Sequence, residues 1–353
     1  MKQSNTINFA GQAFHLGLDI HDRNWRVTIR NNGMELKTYL ANPSAKALAD
    51  KMNREYPGGT YFSVYEAGFC GYWIHRELTR YGFKNIVVNP ADVPTSHKEK
   101  DRKRDPVDSR KLARELEKGS LRCIYIPTEE QQALRSLSRL YFQAVKSRTR
   151  IKNRIKGFLH FHGIKMPHTS EMSHWSNAFI QWLKNIEIKE EHDKYYFDSQ
   201  LSCLQSCRIQ MKLILDQMRK ISKENKIIQC IRSVPGVALI TSFTLYAELM
   251  DMRRFSNLSK LAAMIGLVPS VSSSDDKEKV KGITPRYNRY IRQNLIESAW
   301  IAVRNDPALT LCYGEYCKRM KKQLAIIKIA RKLLNRIRHV WLNETTYVTS
   351  VVE

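Results

Sequence analysis

Two aspartates, Asp105 and Asp108, stand out because they lie three residues apart in a segment otherwise rich in lysine and arginine. Such a basic segment is typical of a nucleic-acid contact, and carboxylates inside it would repel a phosphate backbone unless a cation lay between them. Residues three apart share one face of a helix. The pair therefore indicates more than simple binding, provided that other carboxylates join it around a metal.

Two further acidic residues, Asp19 and Glu66, follow predicted strands, the first and the fourth along the chain. If these strands are neighbours, the two side chains project side by side, and a helix packed across them delivers Asp105 and Asp108. Four carboxylates gathered in this way cannot all stay ionised without a counter-cation. Mg²⁺, with Mn²⁺ as a substitute, fits because it prefers oxygen ligands and keeps positions for phosphate and water.

Each of these carboxylates also has a purely structural interpretation. Asp105 directly precedes Pro106, as an N-cap residue precedes a proline at the first helical position. Asp108 would interact favourably with the helix dipole, and Asp19 would be a turn residue. Glu66 is harder to explain, because burying a carboxylate at the end of a strand costs free energy unless a partner compensates its charge. Capping and metal binding are compatible for Asp105, so both interpretations stay open.

The first 125 residues alternate between strand-like and helix-like segments. Their predicted order is three strands, helix, strand, helix, strand, helix, with a hairpin turn at Asn31-Asn32-Gly33. A helix capped by Ser44 and a last helix from Pro106 to Gly119 complete the pattern. This order predicts an α/β domain in which a hairpin-built edge joins parallel strands.

The next segment, from Gln131 to Ser170, contains no acidic residue and has apolar residues at helical spacing. It predicts a long helix with one basic face, and Phe197 to about Ile227 predicts a second one after an irregular insert. The two helices favour an antiparallel coiled-coil arm. We predict that its cations contact nucleic acid: Arg135, Arg139, Lys146, Arg148, Arg150, Lys152, Arg154 and Lys156.

The last part, from about Ile231, predicts a mostly α-helical domain with helices at 238–249, 258–265, 287–304 and 320–341. Between the second and third of these helices, Ser270 to Lys277 has the composition of a loop. A serine here could attack a phosphodiester if its proton were removed and the phosphate were held by Arg286, Arg289 and Arg292. A serine-rich loop is more often only a loop, so spacing alone does not decide.

The composition restricts the class of protein. A chain of 353 residues is long enough for two or three domains, and a net charge of +25 points to a polyanion partner. No apolar run approaches a bilayer span, the N-terminus leads into no signal core, and the seven cysteines lack zinc-site spacing. We therefore expect a cytoplasmic protein without membrane contact. The expected divisions are 1–125, 126–229 and 230–345, with a tail at 346–353.

Two blocks of motifs resemble one known family, the DEDD insertion-sequence transposases, relatives of the Piv-type pilin invertases. The N-terminal block consists of Gly17-Leu18-Asp19, Glu66-Ala67-Gly68, Val87-Val88-Asn89-Pro90 and Asp105-x-x-Asp108. The C-terminal block includes Val234-Pro235-Gly236-Val237, Gly266-Leu267-Val268-Pro269, Ser273-Ser274, Gly282-Ile283-Thr284 and Arg292. The blocks occur in the family's order at both ends of the chain.

The resemblance implies an RNase H/RuvC-like fold for the N-terminal domain, with Asp19, Glu66, Asp105 and Asp108 as a metal-binding tetrad. It also implies a serine nucleophile that forms a covalent phosphoserine link to DNA. The family's serine follows Gly-Leu-x-Pro by four positions, which gives Ser273, with Ser274 as the alternative.

Partners follow from the same resemblance. It implies a structured bridge RNA that pairs with donor and target DNA, in a prokaryotic protein that is associated with the nucleoid when acting. We also expect the protein to act as a dimer or tetramer. The cations beside the tetrad, among them Lys103 and Arg104, would then hold phosphates. Two rival functions stay open: a RuvC-like endonuclease that uses a metal-activated water, and a non-catalytic basic protein that binds nucleic acid.

Overall fold

The computed structural model describes residues 8–94, 105–274, 277–284 and 287–349; at 105–107, 269–274 and 277–283 it describes the backbone alone. The described chain divides into two compact units, one that ends at Ile126 and one that begins at Pro127. None of the described helices has the length and apolar character needed to cross a membrane.

The first unit is built on a mixed sheet whose strand order is β3–β2–β1–β4–β5. Its strands are β1 (Ala13–Ile20), β2 (Trp25–Asn31), β3 (Met34–Ala41), β4 (Thr60–Glu66) and β5 (Lys84–Val88). Strands β1, β2 and β3 are antiparallel neighbours, whereas β4 runs parallel to both β1 and β5. The predicted adjacency of the first and fourth strands is therefore confirmed.

Helices cover both faces of this sheet. They are α1 (Ala45–Glu55), α2 (Trp73–Arg80) and α3 (Asp105–Glu117), so the predicted order of elements is confirmed. Leu48 of α1 and Ile74 of α2 are buried in one hydrophobic cluster, and Leu112 of α3 is buried with Val64 and Val88 in another. The result is the α/β layering that an RNase H-like domain requires.

Local sequence explains where these elements start and turn. Ser44 accepts a hydrogen bond from the amide of Ala47 at 3.2 Å, as an N-cap does. The hairpin between β2 and β3 turns at Asn32 and Gly33, which have φ values of 47° and 80°. Asparagine and glycine tolerate this left-handed conformation better than other residues, so the turn occurs where the sequence predicts it.

The second unit begins with two long helices, α4 (Glu129–Phe161) and α6 (Glu191–Glu224), joined by a segment that contains α5 (Asn177–Lys184). The ring centroids of Phe158, near the end of α4, and Phe197, near the start of α6, lie 5.0 Å apart, so the helices are antiparallel. That they form a coiled coil stays a prediction. We call α4 to α6 the arm.

Two details of the arm differ from the sequence prediction. The first helix ends at Phe161 and not near Ser170, because Gly163 adopts a φ of 68° and Ile164 donates back to the carbonyl of Leu159 at 2.8 Å. The region predicted to be irregular contains helix α5, whose Phe179 is fully buried. The histidine and tryptophan residues around α5 made its short amphipathic pattern hard to detect in the sequence.

The arm contains two hydrophobic clusters. Near its base, Ala144 and Met218 share a cluster with Phe243 and Ala247 of the following domain. At its tip, Ile155, Phe158, Phe179 and Phe197 belong to a separate cluster. We call these the base cluster and the tip cluster.

The remainder of the second unit is mostly helical. It comprises α7 (Lys226–Arg232), α8 (Leu239–Leu249), α9 (Leu258–Ile265), α10 (Arg289–Asn305), α11 (Pro307–Arg319) and α12 (Lys322–Asn343). Helix α11 was not predicted from the sequence, although Asp306 caps it by accepting from the amide of Leu309 at 3.0 Å. Ile329, Leu333 and Ile337 of α12 are buried at the centre of this domain's core.

The interpretation of residues 270–277 as a loop is wrong for the residues that the structure describes there, 270–274 and 277. A two-stranded antiparallel hairpin, which we call the serine hairpin, is formed by β6 (Pro269–Ser274) and β7 (Lys277–Ile283). Its register pairs Val271 with Val280. Valine favours strands, and this pairing outweighs the weak strand preference of the serines around it.

Candidate active site

Helix α3 reaches the first strand through a close approach at Gly17. A Cβ atom built on Gly17 would lie 2.0 Å from the carbonyl oxygen of Ser109 and 2.4 Å from the amide nitrogen of Ala113. Only glycine leaves room for a helix backbone this near a strand. The absence of a side chain at position 17 therefore lets α3 cross β1 two residues before Asp19.

Side chains along α3 fix its direction across the sheet. Near its start, the hydroxyl oxygens of Ser109 and Thr28 lie 2.9 Å apart in a buried hydrogen bond. Near its end, Glu117 accepts from Nε of Arg30 at 2.7 Å and from the amide of Gly33 at 2.8 Å. Because both ends are attached to β2 and its turn, Asp108 is held above the neighbouring strand.

The carboxyl of Glu117 has a lowered pKa. Burial by itself would raise this pKa, but the hydrogen bonds from Arg30 and Gly33 and the charge of Arg30 outweigh burial. The carboxylate form is therefore the one that anchors α3.

Three of the four predicted tetrad residues line one cavity. Asp19 stands near the end of β1, Glu66 ends β4, and the register of these parallel strands pairs Leu18 with Tyr65, the residues immediately before them. The cavity is about 170 Å³, and Asp19, Glu66 and Asp108 all contribute to its lining. The structure thus brings together the residues that the sequence predicted from strand ends and helix spacing.

The carboxylates line a cavity but do not form a compact cage. Among the described side chains, no three from His, Cys, Asp and Glu lie close enough to one another to hold a metal ion. Helix α3 begins at Asp105 itself, and the side chain of Asp105 lies outside the described residues, as do Lys103 and Arg104. The donor set of hard carboxylate oxygens nevertheless fits Mg²⁺ in chemical type.

Two further residues, which the sequence pattern did not single out, belong to this site: His21 contacts Asp19, and Phe69 lines the cavity. His21 lies with Nε2 3.2 Å from a carboxylate oxygen of Asp19, so it helps to orient that carboxylate. Phe69, which lines the cavity, is 71% exposed. The available signals were positional: His21 follows Asp19 by two residues, and Phe69 directly follows the Glu66-Ala67-Gly68 motif.

The serine hairpin carries both candidate nucleophiles on β6. Its register pairs Ser273 with Glu278 and Ser274 with Lys277. The side chains of both serines, and the whole of Arg286, lie outside the described residues. The backbone therefore places the two serines at the C-terminal end of β6, and the direction of their side chains stays a prediction.

Arg292 closes the base of the serine hairpin. Its guanidinium donates to the carbonyl oxygen of Thr284, which follows β7, at 2.9 Å, and to that of Gly266, which precedes β6, at 3.4 Å. The same group stacks on Tyr287, 3.2 Å from the ring centroid. Arg292, predicted to hold phosphate, is thus engaged within the protein, whereas Arg289 is exposed and donates to Tyr290.

Two of the arm's predicted nucleic-acid contacts are also engaged internally. Arg139 and Arg135 of α4 lie against the buried carboxylate of Glu248, with Nε to carboxylate oxygen distances of 2.7 and 3.7 Å. The amide group of Asn288, at the start of α10, donates to the same carboxylate at 2.9 Å. These arginines therefore join the arm to the C-terminal domain, and their role toward nucleic acid stays a prediction.

The remaining arm cations differ in exposure. Lys146, Arg150 and Arg154 are exposed, whereas the others are half-buried. The half-buried ones are Arg148, Lys152 and Lys156, and both lysines lie over the ring of Trp175, 4.7 and 6.0 Å from its centroid. Burial lowers the pKa of Lys152, and the nearby charges of Arg148, Arg208 and Lys156 lower it further. Crowded cations of this kind favour a bound anion.

Comparisons with known proteins agree with this architecture. Residues 16–164 match the model of the DEDD transposase domain of IS110 elements, and residues 228–313 match that of the transposase IS116/IS110/IS902 family. The first match covers the carboxylate cavity and the start of the arm, and the second covers the serine hairpin. The stretch between the two matches contains α5 and α6.

Curated relatives show the same likeness. The chain is 27% identical to the transposase for insertion sequence element IS1111A of Coxiella burnetii, over 67% of this chain and 64% of the relative. It is 23% identical to the transposase for IS1533 of Leptospira borgpetersenii, over 91% of this chain and 98% of the relative. A protein of Sinorhizobium fredii named as a transposase is 26% identical over 91% of this chain and 90% of its own length.

Proposed function

Because the chain carries the DEDD and C-terminal domains of the IS116/IS110/IS902 transposases, we propose that it cuts and exchanges the DNA strands of an insertion sequence with a metal-dependent serine mechanism. The observation that carries this proposal is the cavity shared by Asp19, Glu66 and Asp108. Carboxylates at the ends of adjacent strands and on a crossing helix are the arrangement that phosphodiester chemistry with divalent cations uses.

In this proposal Asp19, Glu66, Asp105 and Asp108 hold Mg²⁺ or Mn²⁺, which when bound supplies positive charge to the phosphoryl oxygens. His21 keeps the carboxylate of Asp19 in one orientation through their 3.2 Å contact. The crossing of α3 at Gly17 keeps Asp108 beside the strand ends. Mg²⁺ retains water ligands and accepts few protein ligands, so an open cavity suits it better than a closed cage.

Replacement of single carboxylates tests the metal site. We expect Asp19→Ala and Asp108→Ala each to lower the rate of DNA cutting at least a hundredfold in Mg²⁺, and chelation to abolish cutting in the wild type. The matched control is Asp22→Ala, which removes an exposed aspartate three residues beyond Asp19. If Asp19→Ala and Asp22→Ala cut equally well, the carboxylate cavity is not the active site.

The serine step conserves phosphodiester bonds. The Ser273 hydroxyl oxygen attacks the scissile phosphorus, an ester bond forms to the serine, and the bond from phosphorus to one deoxyribose oxygen breaks. The proton lost by the serine balances the one gained by the released sugar hydroxyl. Because the linkage energy is kept in the phosphoserine, a sugar hydroxyl of another strand can reverse the step and join to a new partner.

A denaturing gel separates this mechanism from hydrolysis by metal-activated water. The serine mechanism predicts a protein–DNA adduct that is lost in Ser273→Ala, with Ser274→Ala as its matched neighbour. If Ser274→Ala loses the adduct instead, the nucleophile is Ser274. If both variants cut normally and the wild type gives free ends without adduct, the protein is a RuvC-like nuclease.

We further propose that residues 126–229 bind nucleic acid and support a dimer or tetramer, and that a structured bridge RNA selects donor and target DNA. The support is charge: the net charge is +25, and Lys146, Arg150 and Arg154 are exposed along one helix. Co-purification followed by sequencing of bound RNA tests the guide. A preparation that carries random fragments of RNA, and that recombines DNA after ribonuclease treatment, would exclude RNA guidance.

A further inference from the structure

Phe69 is an aromatic side chain at the rim of the carboxylate cavity. It lines the same cavity as Asp19, Glu66 and Asp108, and yet 71% of its surface is exposed to solvent. A phenylalanine left exposed forgoes the stabilisation that burial of its ring would give. We propose that Phe69 forms a subsite that stacks on a nucleobase of the DNA strand being cut.

The backbone holds Phe69 outward. On one side of it, the amide of Ala67 donates to the carbonyl oxygen of Val88 at 2.8 Å. On the other side, the hydroxyl of Tyr65 donates to the carbonyl oxygen of Gly71 at 2.9 Å, and Gly71 has a φ of 59°. Hydrogen bonds therefore hold the backbone on both sides of Phe69, which lowers the conformational entropy lost when a ligand stacks on its ring.

A second aromatic residue follows in the same segment. Trp73, the first residue of α2, is 48% exposed, and its ring packs against that of the buried Trp25, with centroids 6.2 Å apart. Trp25 is the strand partner of Ile20, which lines the cavity next to Asp19. Two exposed rings thus stand near the end of the sheet where the carboxylates lie.

The chemistry of the cavity selects the ligand. The inference rests on the proposed function, because a phosphate held at the carboxylates brings its neighbouring bases to the cavity rim. A base presents a flat apolar face, and stacking of that face on an aromatic side chain stabilises binding without reading the identity of the base. In duplex DNA the bases already stack on one another, so the subsite takes a base that is unpaired or turned out of the helix.

The test uses the full-length protein and a short single-stranded DNA that carries one 2-aminopurine, whose fluorescence falls when it stacks. Calcium replaces magnesium to prevent cutting, and high salt weakens contacts made by charge alone. We expect Phe69→Ala to weaken binding at least fivefold and to restore the fluorescence, and Phe69→Trp to retain both properties. The matched control is Leu40→Ala, at another exposed apolar residue of the same unit, 56% exposed.

A double-mutant cycle adds a result that a merely structural role would not produce. Replacing the fluorescent nucleotide by an abasic one should weaken binding to the wild type as much as Phe69→Ala does, and should add nothing in that variant. Independent effects of the two changes would overturn the subsite. So would a Phe69→Ala protein that binds DNA normally but no longer self-associates, because the ring would then contact another copy of the chain.

Different results would contradict the subsite and the proposed function. If Asp19→Ala cuts DNA as fast as the wild type, the metal site is wrong, whereas the fluorescence difference at Phe69 would still stand. If Asp19→Ala is inactive and Phe69→Ala stacks on the base like the wild type, the subsite alone is wrong.

Discussion

Arg139 donates two hydrogen bonds to the carboxylate of Glu248, from Nε at 2.7 Å and from the terminal Nη2 at 3.0 Å. The two residues lie 109 positions apart, and the Glu248 side chain is 2% exposed. This bidentate ion pair joins helix α4 to helix α8. Asn288, which caps α10, donates to the same carboxylate, so one buried charge organises the start of the arm and the helix after the serine hairpin.

Removing this buried carboxylate should destabilise the second unit. We expect Glu248→Leu to lower the free energy of unfolding by about 3–5 kcal/mol, because Arg135 and Arg139 would be left without their anion. Denaturant unfolding of the full chain measures this loss. The control is Glu344→Gln, at an exposed pair with Lys226, which should change stability by less than about 1 kcal/mol. Similar small effects of both variants would mean that water replaces Glu248 easily.

The close approach at Gly17 makes the next prediction. Gly17→Ala should lower the free energy of unfolding by about 1–3 kcal/mol and reduce DNA cutting, because the new methyl group pushes α3 and Asp108 away from β1. Gly157→Ala is the matched change in a helix with open space around it, and it should stabilise by up to about 1 kcal/mol. Normal cutting by Gly17→Ala would show that the cavity tolerates displacement of α3.

The anchor of α3 also predicts a pH dependence. The pKa of Glu117 is lowered in the folded protein, so its stabilising contribution is complete above the ordinary value of 4.5 and is lost as pH falls through the lowered folded pKa. We expect Glu117→Gln to cost about 1–2 kcal/mol at neutral pH and progressively less in acid. Urea unfolding of both proteins over this pH range measures the difference. Glu77→Gln, at the exposed pair with Arg80, should change stability by less than about 1 kcal/mol. A Glu117→Gln difference that does not shrink in acid would contradict this assignment.

The exposed arm cations predict a change in salt dependence. Changing Lys146, Arg150 and Arg154 together to glutamine should lower the slope of log affinity for DNA or RNA against log salt by about 2–3 units. The control removes the same charge from the first unit at Lys46, Arg54 and Lys84, which are exposed around α1 and β5. Equal slopes for the two triple variants would mean that the arm makes no special contact with the nucleic acid.

Arg292 should act as a clamp on the serine hairpin. Arg292→Lys keeps the positive charge but loses the planar guanidinium, which stacks on Tyr287 while it donates to the carbonyls of Gly266 and Thr284, so the hairpin should open more often. We expect amide hydrogen exchange across 269–283 to become about tenfold faster, as the loss of one or two hydrogen bonds gives. Arg289→Lys, at the exposed neighbour, should leave exchange unchanged. If Arg292→Lys also leaves it unchanged, Arg292 is available to hold phosphate.

The sequence predicted the first unit well because its signals are local. Strand-like segments around Asp19 and Glu66, the cap at Ser44 and the turn at Asn32 each depend on neighbouring residues. Placing the two acidic residues together needed a single long-range assumption, that β1 and β4 are neighbours, and the register confirms it.

The parts that the sequence did not predict depend on distant partners. The sequence does not show whether a basic residue contacts phosphate or a buried carboxylate. It therefore could not distinguish Arg135 and Arg139, which contact Glu248, from the exposed Lys146. The serine hairpin escaped notice because its pairing of Val271 with Val280 lies across a polar segment. The signal for Phe69 was limited to its position after the Glu66-Ala67-Gly68 motif, because the exposure of a lone aromatic residue cannot be read from spacing.

Because the tip cluster is separate from the base cluster, the end of the arm packs independently of the arm's base. Phe158, Phe179 and Phe197 are buried in the tip cluster, whereas the base cluster includes Phe243 and Ala247 of α8. The segment around α5 can therefore be lengthened, shortened or exchanged for another sequence while the joint at Glu248 keeps its packing. The length and sequence of the tip can accordingly differ between related proteins without disturbing the base cluster.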